Sequence, residues 1–188
     1  FLTETFAEQF ARELDTQAME GTSPFTGVVG ASGVNSVNVT TGTAGGGALA
    51  YADLTTAMFK AGEMSTRVNS IWVMSPTAYG ICLGLADSTG QPIVKYGTVE
   101  QAPAGTILGR PVYTSNALDV TITVGSDATC NIYFGPPNAL IFGDRRQVRF
   151  EVSEHSQWGT DELDFRMIMR TAYVVGVPSA WTKIVQIH

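Results

Sequence analysis

The stretch GTILGRPVYTSNAL, residues 105–118, places Gly109, Arg110 and Pro111 directly before a run of strand-forming residues. No histidine, cysteine or carboxylate cluster accompanies it, so it indicates a requirement of the fold and not an active site. From here to the end of the chain, apolar segments typical of strands alternate with Gly, Pro and Asp turns. The segments are RPVYT, DVTITV, TCNIYF, NALIF, QVRFEV, LDFRMIMRTAYVVG and WTKIVQI.

Before residue 105 the apolar spacing predicts helices. The first is predicted over Leu2 to Met19, and Gly21 is expected to end it in a left-handed cap. Its apolar face recurs at helical spacing and comprises Leu2, Phe6, Ala7, Phe10, Leu14 and Ala18.

Two shorter helices are predicted further along the chain. ADLTTAMFKAG (52–62) predicts one that is closed by Gly62. SPTAYGICLGL (75–85) predicts another, with Ser75 as the N-cap, Pro76 at the first helical position, and a buried stripe. The stripe comprises Tyr79, Cys82 and Leu83. Helices come early, strands come late and no regular βαβ alternation is seen, which predicts an α+β fold with a largely antiparallel sheet.

The composition limits what the chain can bind. The 188 residues suffice for one domain, or for one domain with a small second lobe. Only 15% of them are charged, against a usual share of about 25%, which indicates either a surface partly covered by partners or loops without charges. Eleven basic and 17 acidic residues leave a net charge of −6, which argues against nucleic acid as a direct ligand. The nearest approach to a basic cluster is Arg145, Arg146 and Arg149, which Asp144 and Glu151 flank.

Groups able to perform chemistry are scarce and dispersed. Cys82 and Cys130 favour two buried free thiols over a disulfide. Ser23 lacks the second glycine of a nucleophile elbow, because Phe25 stands in its place. His155 is expected in a solvated polar loop, and the other histidine is His188.

Three further features have an ordinary structural interpretation. Asp161, Glu162 and Asp164 are more typical of a solvated face than of a cation site. The glycine run 45–47 lacks the lysine of a phosphate-binding loop. The tryptophans are too far apart in sequence for a stacking platform; they are Trp72, Trp158 and Trp181. The sequence therefore predicts neither a catalytic nor a cofactor or metal site. We also expect no signal peptide and no membrane span, because the given residues contain no apolar run of the about 20 residues that a span needs.

Four segments in order resemble the major capsid protein of tailed bacteriophages and prophages with the HK97-type fold. They are WVMSPTAYGICLGLADSTGQPI, GTILGRPVYTSNAL, ALIFGD and FRMIMRTAYVVGVPSAW. The first helix followed by MEGTSPFTGV resembles the segment that leads into that region, so the match runs from about Phe1 to Trp181. The resemblance implies a self-assembling shell protein of the virion that forms hexamers and pentamers around double-stranded DNA. Scaffold and portal are its implied further partners, with no membrane and no cofactor.

The resemblance also implies a single subunit of two interleaved lobes. The peripheral lobe, residues 1–50 and 160–188, would carry a long spine helix and an elongated antiparallel sheet that includes 163–176. The mixed axial lobe, 51–159, would surround the local symmetry axes. In it Gly109 would form a tight entry, Pro111 would fix φ near −65° and remove a donor, and a strand would follow. Arg110 is expected to be a structural or intersubunit ion-pair partner rather than a ligand-binding residue.

Two departures from the family pattern accompany the resemblance. The printed residues contain neither the N-terminal arm nor the extended loop that precede the spine helix in family members, so we expect a piece of a longer protein that by itself stays a monomer or small oligomer. The stretch from Asp119 to Asn138 is longer than the usual link and is expected to form a hairpin that decorates the axial lobe. The alternatives are the shell of an encapsulin-type nanocompartment and, from another class, a hydrolase using Ser23 or His155.

Overall fold

The computed structural model describes residues 2–39, 47–62, 69–86, 90–92, 94–96, 105–118, 120, 130–157, 159 and 162–187. The helices in these ranges are α1 (Leu2–Glu20), α2 (Tyr51–Lys60) and α3 (Pro76–Leu83). The strands are β1 (Asn35–Asn38), β2 (Ile71–Met74), β3 (Lys95–Tyr96), β4 (Gly105–Ile107), β5 (Arg110–Thr114), β6 (Cys130–Gly135), β7 (Leu140–Gln157), β8 (Glu162–Val175) and β9 (Thr182–Ile187). No helix in the described ranges is long and apolar enough to cross a membrane.

Seven strands form one sheet in the order β1-β9-β6-β2-β5-β4-β3, and β7 and β8 form a separate two-stranded sheet. Two of the described pairings, β1 with β9 and β2 with β5, are parallel. The others are antiparallel, which confirms the predicted α+β class and its largely antiparallel sheet.

The expected hairpin over 119–138 is wrong for its second half. Cys130–Gly135 is β6, and it lies between β9 and β2 near the centre of the large sheet. Its adjacent residues Ile132 and Tyr133 point to opposite faces and are both fully buried, so this strand is part of the core and not a decoration. The predicted strand DVTITV lies almost entirely outside the described residues.

The large sheet separates two hydrophobic clusters. Trp72 and Met74 of β2 point into the first, where α2 and α3 cover the sheet. Val73, between them in sequence, points to the opposite face and into the second cluster, with Tyr133 and Trp181. The C-terminal end of α1 packs on this second face through Met19. The helices therefore lie on both sides of the sheet.

The GTILGRPVYT stretch is a tight hairpin of β4 and β5. Ile107 pairs with Arg110, and the two residues between them have positive φ, 51° at Leu108 and 73° at Gly109. Positive φ at both central residues defines a type I′ turn, whose twist matches that of the strands. Pro111 is the next residue, in a non-hydrogen-bonded pair with Thr106, so its missing N–H removes no bond to β4. The predicted tight turn is confirmed.

Helix α1 confirms the predicted spine, with two corrections. Gly21 does not have a positive φ, so it does not form the expected left-handed cap. Glycine is required instead because a Cβ would lie 2.4 Å from the Gln17 carbonyl oxygen. Ala7 is exposed and not part of the apolar face, whereas Phe10 and Leu14 are half-buried and face β8.

The caps of α2 and α3 follow the sequence prediction. Gly62 has φ 76° just beyond the end of α2. The Ser75 hydroxyl oxygen accepts a hydrogen bond of 3.2 Å from the Ala78 N–H, and Pro76 is the first residue of α3. The buried stripe of α3 is Ala78, Tyr79 and Cys82, while Leu83 is only half-buried.

Strand β7 is one continuous strand where the sequence predicted separate short ones. Its register against β8 shifts at three places, and the extra residues always lie in β7. These bulges interrupt the alternation of apolar residues, which is why NALIF and QVRFEV look like separate strands. His155 consequently lies in β7 and not in a loop; its side chain lies outside the described part of the chain.

The division into two lobes remains a prediction, but two strands pair across its expected boundaries. Residues 140–157, expected in the axial lobe, pair with Glu162–Val175. Residues 182–187, expected in the peripheral lobe, pair with β6 in the large sheet. Strand pairing connects segments that are distant in sequence. Lobe boundaries drawn as continuous stretches of sequence therefore separate strands that are paired.

Candidate assembly surfaces

The ribbon formed by β7 and β8 exposes an unusual amount of apolar surface. Val152 is 51% exposed and Leu163 is 56% exposed, and neither is isolated. A two-stranded hairpin is marginally stable alone, so large exposed side chains on it call for a covering partner. The exposed large hydrophobic side chains of the ribbon are Ile141, Phe142, Val148, Phe150, Val152, Leu163, Phe165 and Val174.

Alternation along β8 assigns these side chains to two faces. Phe165 pairs with Val152 on the face that also carries Met167 and Met169. Val174 pairs with Ile141 on the other face. Apolar surface is therefore exposed on both faces of the ribbon.

Helix α1 covers only part of the first face. Phe6 meets Phe150 edge to face, with 6.3 Å between ring centroids, and Phe150 stacks on Phe165 at 5.9 Å. The 19-residue helix is about 28 Å long, whereas the 14 residues of β8 extend about 48 Å. The helix is thus too short to cover the whole ribbon, and Val152 and Leu163 lie beyond its contact with Phe150.

The other face of the ribbon's outer half is charged. The Arg149 Nε lies 2.8 Å from the Glu151 Oε1. On the neighbouring strand the Arg166 Nε donates to the Glu151 Oε2 at 3.1 Å. These exposed pairs contribute little to stability, about 0–1 kcal/mol each, but they give this face a patterned charge.

Polar contacts tie the second half of α1 to the large sheet. The Tyr133 hydroxyl donates to the Glu20 Oε1 at 3.1 Å, and the Thr16 hydroxyl donates to the Ala117 carbonyl at 2.9 Å. Burial, and then the negative charge of Glu20, raise the pKa of Tyr133. Its hydroxyl therefore stays protonated and donates at neutral pH. Helix α1 is anchored to the sheet at one end and to the ribbon at the other.

Helix α2 also exposes apolar side chains near each of its ends. Phe59 is 71% exposed and Tyr51 is 41% exposed, while Leu54 and Ala57 on the other side of the helix are fully buried against the sheet. The sequence analysis identified neither surface, because whether an apolar side chain is covered depends on neighbours that are distant in sequence. The signal in β8 was present as the alternation of Leu163, Phe165, Met167 and Met169.

The residues considered for chemistry do not come together in the described part of the chain. Ser23 is exposed in a bend, and Asp164 is exposed on β8. Asp161, the side chain of Glu162 and His188 lie outside the described residues. Among the residues that are described, no three His, Cys, Asp or Glu side chains are grouped to hold a metal ion.

Cys82 and Cys130 are free and buried, as predicted. Burial, and then the nearby Cys130, raise the pKa of Cys82 to about 12, so the thiol is neutral and unreactive at physiological pH. Arg110 is half-buried at the start of β5, and its expected role in an ion pair stays a prediction.

Comparison with known proteins gives one family. The model of the phage capsid family matches residues 1–185. No curated protein matches the chain.

Solved shell structures share the fold at low sequence identity. The capsid of an empty GTA particle has a TM-score of 0.75 and 20% identity over 100% of this chain and 65% of that one. The structure of Microbacterium phage Oxtober96 has a TM-score of 0.68 and 16% identity, covering 96% of this chain and 63% of the other. The holo-SrpI encapsulin complex from Synechococcus elongatus PCC 7942 has a TM-score of 0.64 and 14% identity, covering 99% and 64%. The chain thus spans about 65% of the length of the GTA capsid chain, and the shared α+β architecture is the HK97-type fold.

Proposed function

This chain belongs to the phage capsid family, and we propose that it is a structural subunit of a phage or prophage shell. The observation that carries the proposal is the uncovered apolar surface on both faces of the β7–β8 ribbon. A soluble monomer rarely exposes so many large apolar side chains in one part of its surface, whereas a subunit buries them against its neighbours. Its role is accordingly structural and not catalytic.

The exposed area of the ribbon fits contacts between subunits. An aromatic side chain buries about 150–250 Å² when fully covered. Three of the eight exposed side chains are aromatic and five are smaller aliphatic ones; at 38% to 56% exposure they offer on the order of 500 Å² together. A standard interface buries about 800 Å² per partner. Since the exposed side chains lie on both faces, we infer that more than one neighbour covers the ribbon, which is what a closed shell requires.

We propose the remaining partners from the family. Hexamers and pentamers of the subunit would enclose double-stranded DNA, with scaffold and portal proteins taking part in assembly in the bacterial cytoplasm. The net charge of −6 supports an inner wall that repels DNA and binds no particular sequence. Within the subunit, the large sheet with α2 and α3 would form the axial lobe, and the ribbon with α1 the peripheral lobe.

A nanocompartment shell is the alternative, because the SrpI encapsulin complex has the same fold. The neighbouring genes distinguish the two: terminase, portal and protease genes accompany a phage shell, and a cargo-enzyme gene accompanies a compartment. Family membership favours the phage shell.

The test is electron microscopy and light scattering of the complete gene product expressed alone and with its neighbouring genes. We expect closed particles, and we expect Val152→Ser with Phe165→Ser to abolish them while the subunit stays folded. Val120→Ser is the matched control, because Val120 is a similarly exposed apolar residue (46%) outside the ribbon. If particles still form with the ribbon substitutions, the exposed apolar surface of the ribbon is not needed for assembly, and the proposal loses its support.

A further inference from the structure

Two neighbouring side chains, Phe59 and Lys60, protrude from the outer side of α2 and are called the knob below. Phe59 is the most exposed large hydrophobic side chain among the described residues, at 71%, and it points away from the sheet that buries Leu54 and Ala57. The next residue, Lys60, is exposed and donates from its Nζ to the Ser36 carbonyl at 2.8 Å. A lysine ammonium has three donors, so this bond leaves two for another acceptor. The knob thus pairs an aromatic ring with a positive charge.

A groove of about 400 Å³ lies where α1, the large sheet and the ribbon meet. Its lining is mainly apolar and includes Met19, Val73 and Leu118. Asp15 is the one charged residue that lines it in the described part of the chain. The carboxylate accepts a hydrogen bond of 3.1 Å from the Ser115 hydroxyl and retains further acceptor sites.

The negative charge of Asp15 affects another residue that lines the groove. Burial, and then the negative charge of Asp15, raise the pKa of Tyr173, another lining residue. A cation entering the groove would therefore meet a negative potential. The knob carries the positive charge of Lys60 and the groove the negative charge of Asp15, so the two are complementary in charge.

The two surfaces lie on opposite faces of the large sheet. Leu54 of α2 packs in the same cluster as Trp72 and Met74. Val73, in the groove, belongs to the cluster on the other face. The knob of one chain therefore cannot occupy its own groove, so only the groove of another chain could receive it. A contact between two different patches is heterologous, and repetition of it closes a ring when the rotation permits.

We infer that Phe59 of one copy of this chain inserts into the groove lined by Met19, Val73 and Leu118 of a second copy, with Lys60 beside Asp15. The inference rests on the proposed shell function and names the contact within each ring. None of the eight exposed large hydrophobic side chains of the ribbon lines the groove, so they remain available to other neighbours.

Cysteine cross-linking of the complete gene product tests the contact. The cysteines are placed beside the proposed ion pair, so that Lys60 and Asp15 are kept: Thr56 is exposed one turn before Lys60, and Asn116 is exposed next to Ser115, which bonds Asp15. Thr56→Cys and Asn116→Cys in one chain, treated with a short bismaleimide, should give a ladder of covalent oligomers on a denaturing gel. Each single variant should give none, and a mixture of the two single variants should stop at dimers. The control pair is Thr56→Cys with Glu8→Cys, since Glu8 is exposed on α1 about 10 Å from Asp15.

Phe59→Ser in the Thr56→Cys, Asn116→Cys background should abolish the ladder, and the melting temperature of the isolated subunit should stay unchanged because Phe59 is exposed there. A ladder that persists with Phe59→Ser, or that forms equally with the Glu8→Cys control pair, would overturn the inference. Particles that form normally yet give no ladder would overturn it alone and leave the shell function standing. The absence of particles in the unsubstituted protein would instead count against the shell function.

Discussion

Replacing Gly135 by alanine tests the packing at the centre of the fold. Gly135 is the last residue of β6 and pairs with Ile71 of β2. A Cβ at this position would lie 2.4 Å from Trp181 Cδ2, 2.6 Å from Cε3 and 2.9 Å from Cε2. The indole lies directly over the glycine, and no side chain fits between them.

The loss of stability in Gly135→Ala depends on how far Trp181 can move. Carbon atoms in contact are about 3.5–4.0 Å apart, so the indole or the strand would have to shift by about 1 Å. Trp181 is 1% exposed and is packed on its other sides by the second cluster. Overpacking of this kind costs about 1–3 kcal/mol, and we expect about 3 kcal/mol here because the clash is with a rigid ring. For a chain of this size that lowers the melting temperature by about 6–12 °C.

The assay is thermal unfolding followed by near-ultraviolet circular dichroism, which reports on the tryptophan environment. Gly143→Ala is the matched control, because its Cβ would approach nothing closer than the Ala172 carbonyl oxygen at 3.9 Å. The control should melt like the original protein. Equal melting temperatures for the two variants would refute the packing of Trp181 on Gly135.

Three further predictions concern the helices and a buried thiol. Ser75→Ala should cost about 1 kcal/mol by removing the cap of α3, and Pro76→Ala should cost less; the reverse order in urea unfolding would contradict the cap. Leu14→Asp should destabilise by about 1–2 kcal/mol, because Leu14 is half-buried against β8, and Ala7→Asp should be neutral because Ala7 is exposed; equal melts would refute the orientation of α1. Burial raises the pKa of Cys82 from 9.0 to about 12, so its contribution to stability is complete below pH 9 and is lost as the pH rises towards 12. The urea midpoint should therefore fall between pH 9 and 11, less so in Cys82→Ala, and an equal fall in both proteins would exclude this cause.

Local signals in the sequence were sufficient for the helices, the tight turn and the family. A cap such as Ser75 or Gly62 acts within one helical turn, so the residues that produce it are neighbours in the sequence. The tight turn at Gly109, Arg110 and Pro111 likewise depends on the backbone preferences of these neighbouring residues alone. The family resemblance also rests on short motifs, which follow one another in a fixed order along the chain. The family match over residues 1–185 confirms that resemblance.

The order of the strands and the surfaces available for assembly were decided by the tertiary structure alone. Cys130–Gly135 becomes a central strand because β2 and β9, which are distant in sequence, pair with both its edges. Phe59 and Leu54 are both apolar residues of one short helix, yet only one of them meets the sheet. Val152 and Leu163 are exposed because α1 is shorter than the ribbon it packs on. Hydrophobicity states what a side chain prefers, but whether it is covered depends on the length and placement of its neighbours, which no local pattern contains.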